Sequence, residues 1–266
     1  MIEFAGGFLG WLAATAIPAF IGILLVTLIG RRVEGKYLAA FALGIFMWFF
    51  VDTIGGSGNL DVNAGFTGGV DQIAILALFV VGLLFFFSVG GEQLFSPDSN
   101  LVKVSLAIPM LVAMAAGIHG FGEGTAFGST ASSTTSTSLL DAFGGLTAGV
   151  AYTLHKALEP MMIGACYVVY SSDRGKNAAR YLTDVAVLTI LFVVPSLIGA
   201  TTGYFVTYDA TYFFALGTGT SLYAALRLAR PLFLDQKTSS SSESVKIGLF
   251  LLLGFLCIYL AALFHS

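Results

Sequence analysis

Long apolar runs separated by short polar segments dominate the chain. A run of roughly 20 apolar residues is long enough to cross the hydrocarbon of a bilayer as a helix. Eight windows reach about that length: about 5 to 29, 37 to 54, 72 to 91, 102 to 128, 142 to 170, 181 to 206, 209 to 227 and 246 to 264. Transmembrane barrel strands would read as alternating segments of about ten residues, and no such alternation is present. The pattern predicts an all-helical membrane protein with short loops, forming one transmembrane domain over residues 1–266. Composition agrees. The chain is 57% hydrophobic and 10% charged, with mean hydropathy +0.90, where soluble domains carry about 25% charged residues. With no charged block large enough to fold apart, its work is expected in or across the lipid bilayer, with no nucleic-acid partner. The first helix has no basic leader or small-residue cleavage site before it and is expected to be retained.

The net charge of −3 distinguishes little, but the placement of the basic residues does. Arg31, Arg32 and Lys36 follow the first window, and Lys103 the third. Arg174, Lys176 and Arg180 follow the fifth, and Arg227, Arg230, Lys237 and Lys246 the seventh. No Lys or Arg follows an even window. Basic residues favour cytoplasmic loops, so this bias puts both termini outside and independently supports eight spans. The twelfth basic residue, Lys156, falls within the fifth window. The outward connections are acidic or neutral, and the tract STASSTTSTS at 129–138 is expected to be a solvated linker. Cys166 and Cys257 lie inside spans, where a thiol is usually a small apolar group.

Two internal echoes predict the architecture. The first window contains IPAFIG, with Pro18 and Gly22, and the sixth contains VPSLIG, with Pro195 and Gly199. The same spacing in helices of opposite direction is the signature of an inverted repeat. The fourth window has His119 and Glu123, the fifth has His155 and Glu159, and both follow His-x-x-x-Glu. Residues four apart share one helix face, so two such helices can converge four ligands. Pairing windows one to three with six to eight, and four with five, gives a 3+2+3 bundle of eight helices with the polar pair central.

Two imidazoles and two carboxylates suit a divalent first-row metal, whereas calcium and magnesium prefer oxygen shells. One His–Glu pair is more often a structural hydrogen bond. Two pairs in adjacent spans, using two of three histidines and the only glutamates deep in the bilayer, favour a site. The third histidine, His265, is penultimate and expected in solvent. Three functions remain open: a permease for zinc or iron, an intramembrane zinc-dependent hydrolase, and a proton-linked carrier using His and Glu as a relay. The hydrolase lacks both His-Glu-x-x-His and a third membrane histidine. The expectation is therefore a transporter and not an enzyme, with the metal as its substrate and no resident cofactor.

The same residues resemble the ZIP (Zrt/Irt-like) divalent metal transporters. Their fourth span typically carries His-Asn-x-Pro-Glu-Gly and their fifth a related His-x-x-Pro-Glu-Gly. Here the corresponding stretches are His119-Gly120-Phe121-Gly122-Glu123-Gly124 and His155-Lys156-Ala157-Leu158-Glu159-Pro160. PSLIGATTGY in the sixth window and GTGTSLYAAL in the seventh are similar to further family segments. The resemblance implies eight helices in the ZIP fold, a metal site between spans four and five, and a homodimer in the cell membrane. It also implies inward transport of Zn2+, with Fe2+, Mn2+, Co2+ and Cd2+ as further cargo.

Departures refine the expectation. Family members with two adjacent metals use residues at positions that here hold Gly120, Lys156 and Val194, which predicts one metal ion held by His119, Glu123, His155 and Glu159. Lys156, next to a ligand, is expected to supply the positive charge of the missing second ion. Gly122 and Leu158 stand where the family has Pro, and the loop LFSPDSNLVK lacks the family's histidines. Asp52 is a candidate entrance residue at an outer helix end. Asp184 is a candidate exit residue, or an anchor facing Arg180. Met110 and Met114, one turn apart near His119, either pass soft metals or simply pack.

Overall fold

A computed structural model describes residues 2–57, 69–95, 105–171, 177–206, 209–234 and 241–263. They form ten helices: α1 (Phe4–Gly30), α2 (Gly35–Ser57), α3 (Gly69–Phe95), α4 (Ala107–Ser133), α5 (Leu139–Ala142), α6 (Leu146–Leu158), α7 (Met161–Ser171), α8 (Ala178–Phe205), α9 (Thr211–Leu234) and α10 (Ser241–Ala262). The described residues contain no strand, in keeping with the missing two-residue alternation. Phe4–Gly30, Ala178–Phe205 and Ser241–Ala261 are long and apolar enough to cross a membrane, and Gly35–Trp48 and Ile73–Val89 are shorter apolar stretches. Leu9, Ile17, Ile21 and Leu28 of α1 are exposed together with Ile190 and Ile198 of α8. Backbone polar groups satisfied within helices and large apolar side chains turned outward mark a membrane protein.

Three sequence expectations change. The window 142–170 is not one helix, because α6 ends at Leu158 and α7 begins at Met161 after a turn at Glu159 and Pro160. Proline has no N–H to donate, and its ring collides with the carbonyl four residues back. The tract 129–138 is not wholly a linker, since α4 runs to Ser133. The hydroxyls of Thr130 and Ser133 donate back to the carbonyls of Ala126 and Ser129, which satisfies them within the helix. Arg227 and Arg230 are not loop residues. Both lie buried in α9, and Arg227 Nε donates to Tyr223 Oη one turn earlier at 2.8 Å.

Glycines set how closely the helices approach. A methyl on Gly22 of α1 would collide with the Ala157 carbonyl of α6, and one on Gly199 of α8 with the Phe121 carbonyl of α4. Ala157 and Phe121 each lie two residues after a motif histidine. Reciprocal contacts link α2 with α10, where Gly44 meets Leu251 and Gly254 meets Phe41. They also link α9 with α3, where Gly219 meets Phe79 and Gly82 meets Leu216. In lipid, where burying apolar surface gives helices no net gain over lipid tails, such close backbone approach carries much of the packing.

Contacts fix the helix directions. Gly117 lies against Phe192 and Gly128 against Ala200, so α4 and α8 run parallel. Thr27 bonds Tyr181 while Trp11 bonds Ser196, so α1 and α8 are antiparallel. Phe143 and the positive-φ pair Gly144 (83°) and Gly145 (105°) reverse the chain between α5 and α6. Gly145 N donates to Leu140 O across that turn, a helix ending that favours glycine.

Candidate metal centre

The i, i+4 spacing puts each motif's histidine and glutamate on one helix face, and packing aims those faces at each other. Gly217 of α9 lies flat against the His119 backbone, and Gly124 of α4 against the Ser196 carbonyl of α8. The motif segment of α4 is thereby wedged between α8 and α9. On the other side, Gly22 of α1 approaches Ala157, so α1 holds the end of α6 close to the turn that carries Glu159. Glu159 caps α6 with helical dihedrals and donates its N–H to the His155 carbonyl, so it stays on the face that carries His155.

The structure brings Glu123, His155 and Glu159 together, with one ligand atom of each lying within 4.8 Å of the others. Ligands about 2.1 Å from a tetrahedral zinc stand about 3.4 Å apart, so contraction of about an ångström would close the set. His119 is set differently: its Nε2 lies 3.3 Å from Glu123 Oε1, and it is not part of the close group. His155 Nε2 lies 3.7 Å from Glu159 Oε2. Glu159 is fully buried, and its Oε1 has no hydrogen-bond partner among the described residues. Lys156 lies between the carboxylates, its Nζ 2.5 Å from Glu123 Oε2 and 2.7 Å from Glu159 Oε2.

The other expected residues lie elsewhere. Asp184 is buried on α8, where it accepts a hydrogen bond from Tyr167 Oη at 3.0 Å. Arg180, its expected partner, is exposed. Met110 and Met114 are half-buried and pack against the main apolar core. Asp52 belongs to α2, and its side chain lies outside the described residues, as does His265. Sequence reasoning missed the aromatic group over one end of the site. Trp11 stacks on Phe127 at 4.3 Å and on Tyr152 at 4.6 Å, and Tyr152 Oη shares a hydrogen bond with Thr15 Oγ1. Helix period offered a signal: Phe127 follows Glu123 by four residues, and Tyr152 precedes Lys156 by four.

Compared with known proteins, the chain matches no family model and no curated protein.

Proposed function

We propose that the chain is a transmembrane permease for divalent transition-metal cations, zinc or iron, of the ZIP type that its motifs resemble. The observation that carries this reading is the convergence of Glu123, His155 and Glu159 from α4, α6 and the following turn, deep inside a helical bundle. His119, paired with Glu123, orients that carboxylate toward the site. Two carboxylates balance the charge of one divalent ion, and imidazole selects transition metals over calcium and magnesium. The reciprocal glycine contacts support an inverted 3+2+3 repeat of eight spans, with α6 and α7 together forming the fifth. Exchanging α1 with α8, α2 with α9, α3 with α10 and α4 with α6 turns the contacts of Gly22, Gly44 and Gly254 into those of Gly199, Gly219 and Gly82. Such repeat interfaces hold transporter substrate sites. The cargo enters from the side of both termini and leaves on the cytoplasmic side, across the cell membrane, in a homodimer.

The test is zinc and iron uptake into liposomes by purified protein. Glu123→Ala and Glu159→Ala each remove half of the balancing charge, so flux should fall to background while the protein stays monodisperse. Undiminished flux in either variant would place the path elsewhere. A zinc-dependent hydrolase would bind zinc stoichiometrically and give no flux, and a proton-linked carrier would do neither.

A further inference from the structure

An ammonium inside a membrane bundle is costly unless paired, and Lys156 is 1% exposed. Its Nζ touches Oε2 of both Glu123 and Glu159. A divalent ion held by those same two oxygens would occupy the same place. Two cations cannot share it, so the ammonium has to leave when cargo is held there.

Two aromatic faces stand within reach. Nζ is 5.3 Å from the centroid of Phe192 on α8 and 5.8 Å from that of Tyr152 on α6, inside the about 6 Å range of cation–π attraction. Both rings are buried, and Tyr152 is anchored through its hydroxyl to Thr15. The ammonium is already in that range while it bridges the carboxylates, and its flexible four-carbon stem would let it close on these faces when it leaves them.

We propose that Lys156 is a tethered competitor for the cargo: its ammonium bridges Glu123 and Glu159, is displaced by a divalent ion, and is reseated over Phe192 and Tyr152. The inference rests on the permease reading of the site. It also gives a basis for specificity. A monovalent ion carries no more charge than the ammonium and lacks its covalent tether, so it loses the competition; a divalent ion carries twice the charge and wins. The competitor also weakens retention, which helps cargo leave.

The experiment measures Zn2+ affinity of the purified full-length chain by equilibrium dialysis, in wild type, Lys156→Met, Phe192→Leu and the double variant. Removing the competing charge should tighten binding by about tenfold or more in Lys156→Met. Phe192→Leu removes the aromatic seat, which should weaken binding about two- to fivefold while Lys156 is present and leave it unchanged in the Lys156→Met background. Equal or weaker binding by Lys156→Met would overturn the competition and make the ammonium an organiser of the carboxylates. Equal weakening by Phe192→Leu in both backgrounds would overturn the reseating and leave Phe192 a packing residue. If Lys156→Met loses monodispersity, Zn2+ should restore it by taking the ammonium's place, and failure to do so counts against the exchange. Should neither wild type nor a monodisperse Lys156→Met bind Zn2+, the permease reading falls and the inference with it.

Discussion

His119 and His155 hold equivalent places in the two His-x-x-x-Glu motifs, yet their surroundings differ. His155 stands with both carboxylates, while His119 lies against the Gly217 backbone of α9 and reaches the site through Glu123. A direct ligand should matter more than a residue that orients one. His119→Ala should cost about tenfold in Zn2+ affinity, the low end of what an orienting partner contributes, and His155→Ala clearly more. Calorimetry on the two purified variants checks this, and a larger loss at His119 would reverse the assignment. The four candidate ligands were legible because helix period alone puts residues four apart on one face. That Lys156 bridges the two carboxylates was not, because it depends on where α6 stops and how α4 is wedged. The burial of Arg227 was equally hidden, since positive charge near a span end reads as loop until Tyr223 is found one turn away.

Individual helices were legible to the extent that hydropathy reports them. An average over a window does not register a local break, so 142–170 looked like a single span although Pro160 was visible within it. Ser and Thr at 129–133 looked like linker because composition cannot tell a hydroxyl in solvent from one bonded to the preceding turn. The echo of IPAFIG in VPSLIG proved to be a packing rule, with Gly22 and Gly199 each admitting the backbone of the neighbouring motif segment at the second residue after its histidine. Gly22→Ala and Gly199→Ala should therefore behave alike. Each forces apart two helix backbones that cannot yield as a side-chain tip would, at about 1–3 kcal/mol. Each should lower thermal stability in detergent and widen the separation of the carboxylates, so Zn2+ affinity should fall in parallel. Similar destabilisation by both variants, measured by denaturation, is the expected outcome, and a silent Gly22→Ala would break the proposed equivalence of α1 and α8.

At the scale of the molecule, the basic residues that remain at helix ends gather at one end of the bundle. The guanidinium of Arg31 lies over the Tyr181 ring at 4.7 Å, joining the end of α1 to the start of α8. Lys36 pairs with Glu34 and Glu243, joining the start of α2 to that of α10. Lys103, Arg174, Lys176 and Lys237 fall outside the described residues. Since α4 and α8 run parallel, the end of α4 and the start of α8 lie at opposite ends of the bundle. Basic residues face the cytoplasm, so the start of α8 should be inside and the segment after α4 outside. Thr137 and Ala178 are exposed, one at each end. In a background with Cys166 and Cys257 replaced by alanine, Thr137→Cys should react with an impermeant maleimide on intact cells. Ala178→Cys should react only after the membrane is opened. The opposite pattern would invert the bundle, put its basic end outside against the charge bias, and make the proposed cargo path lead out of the cell.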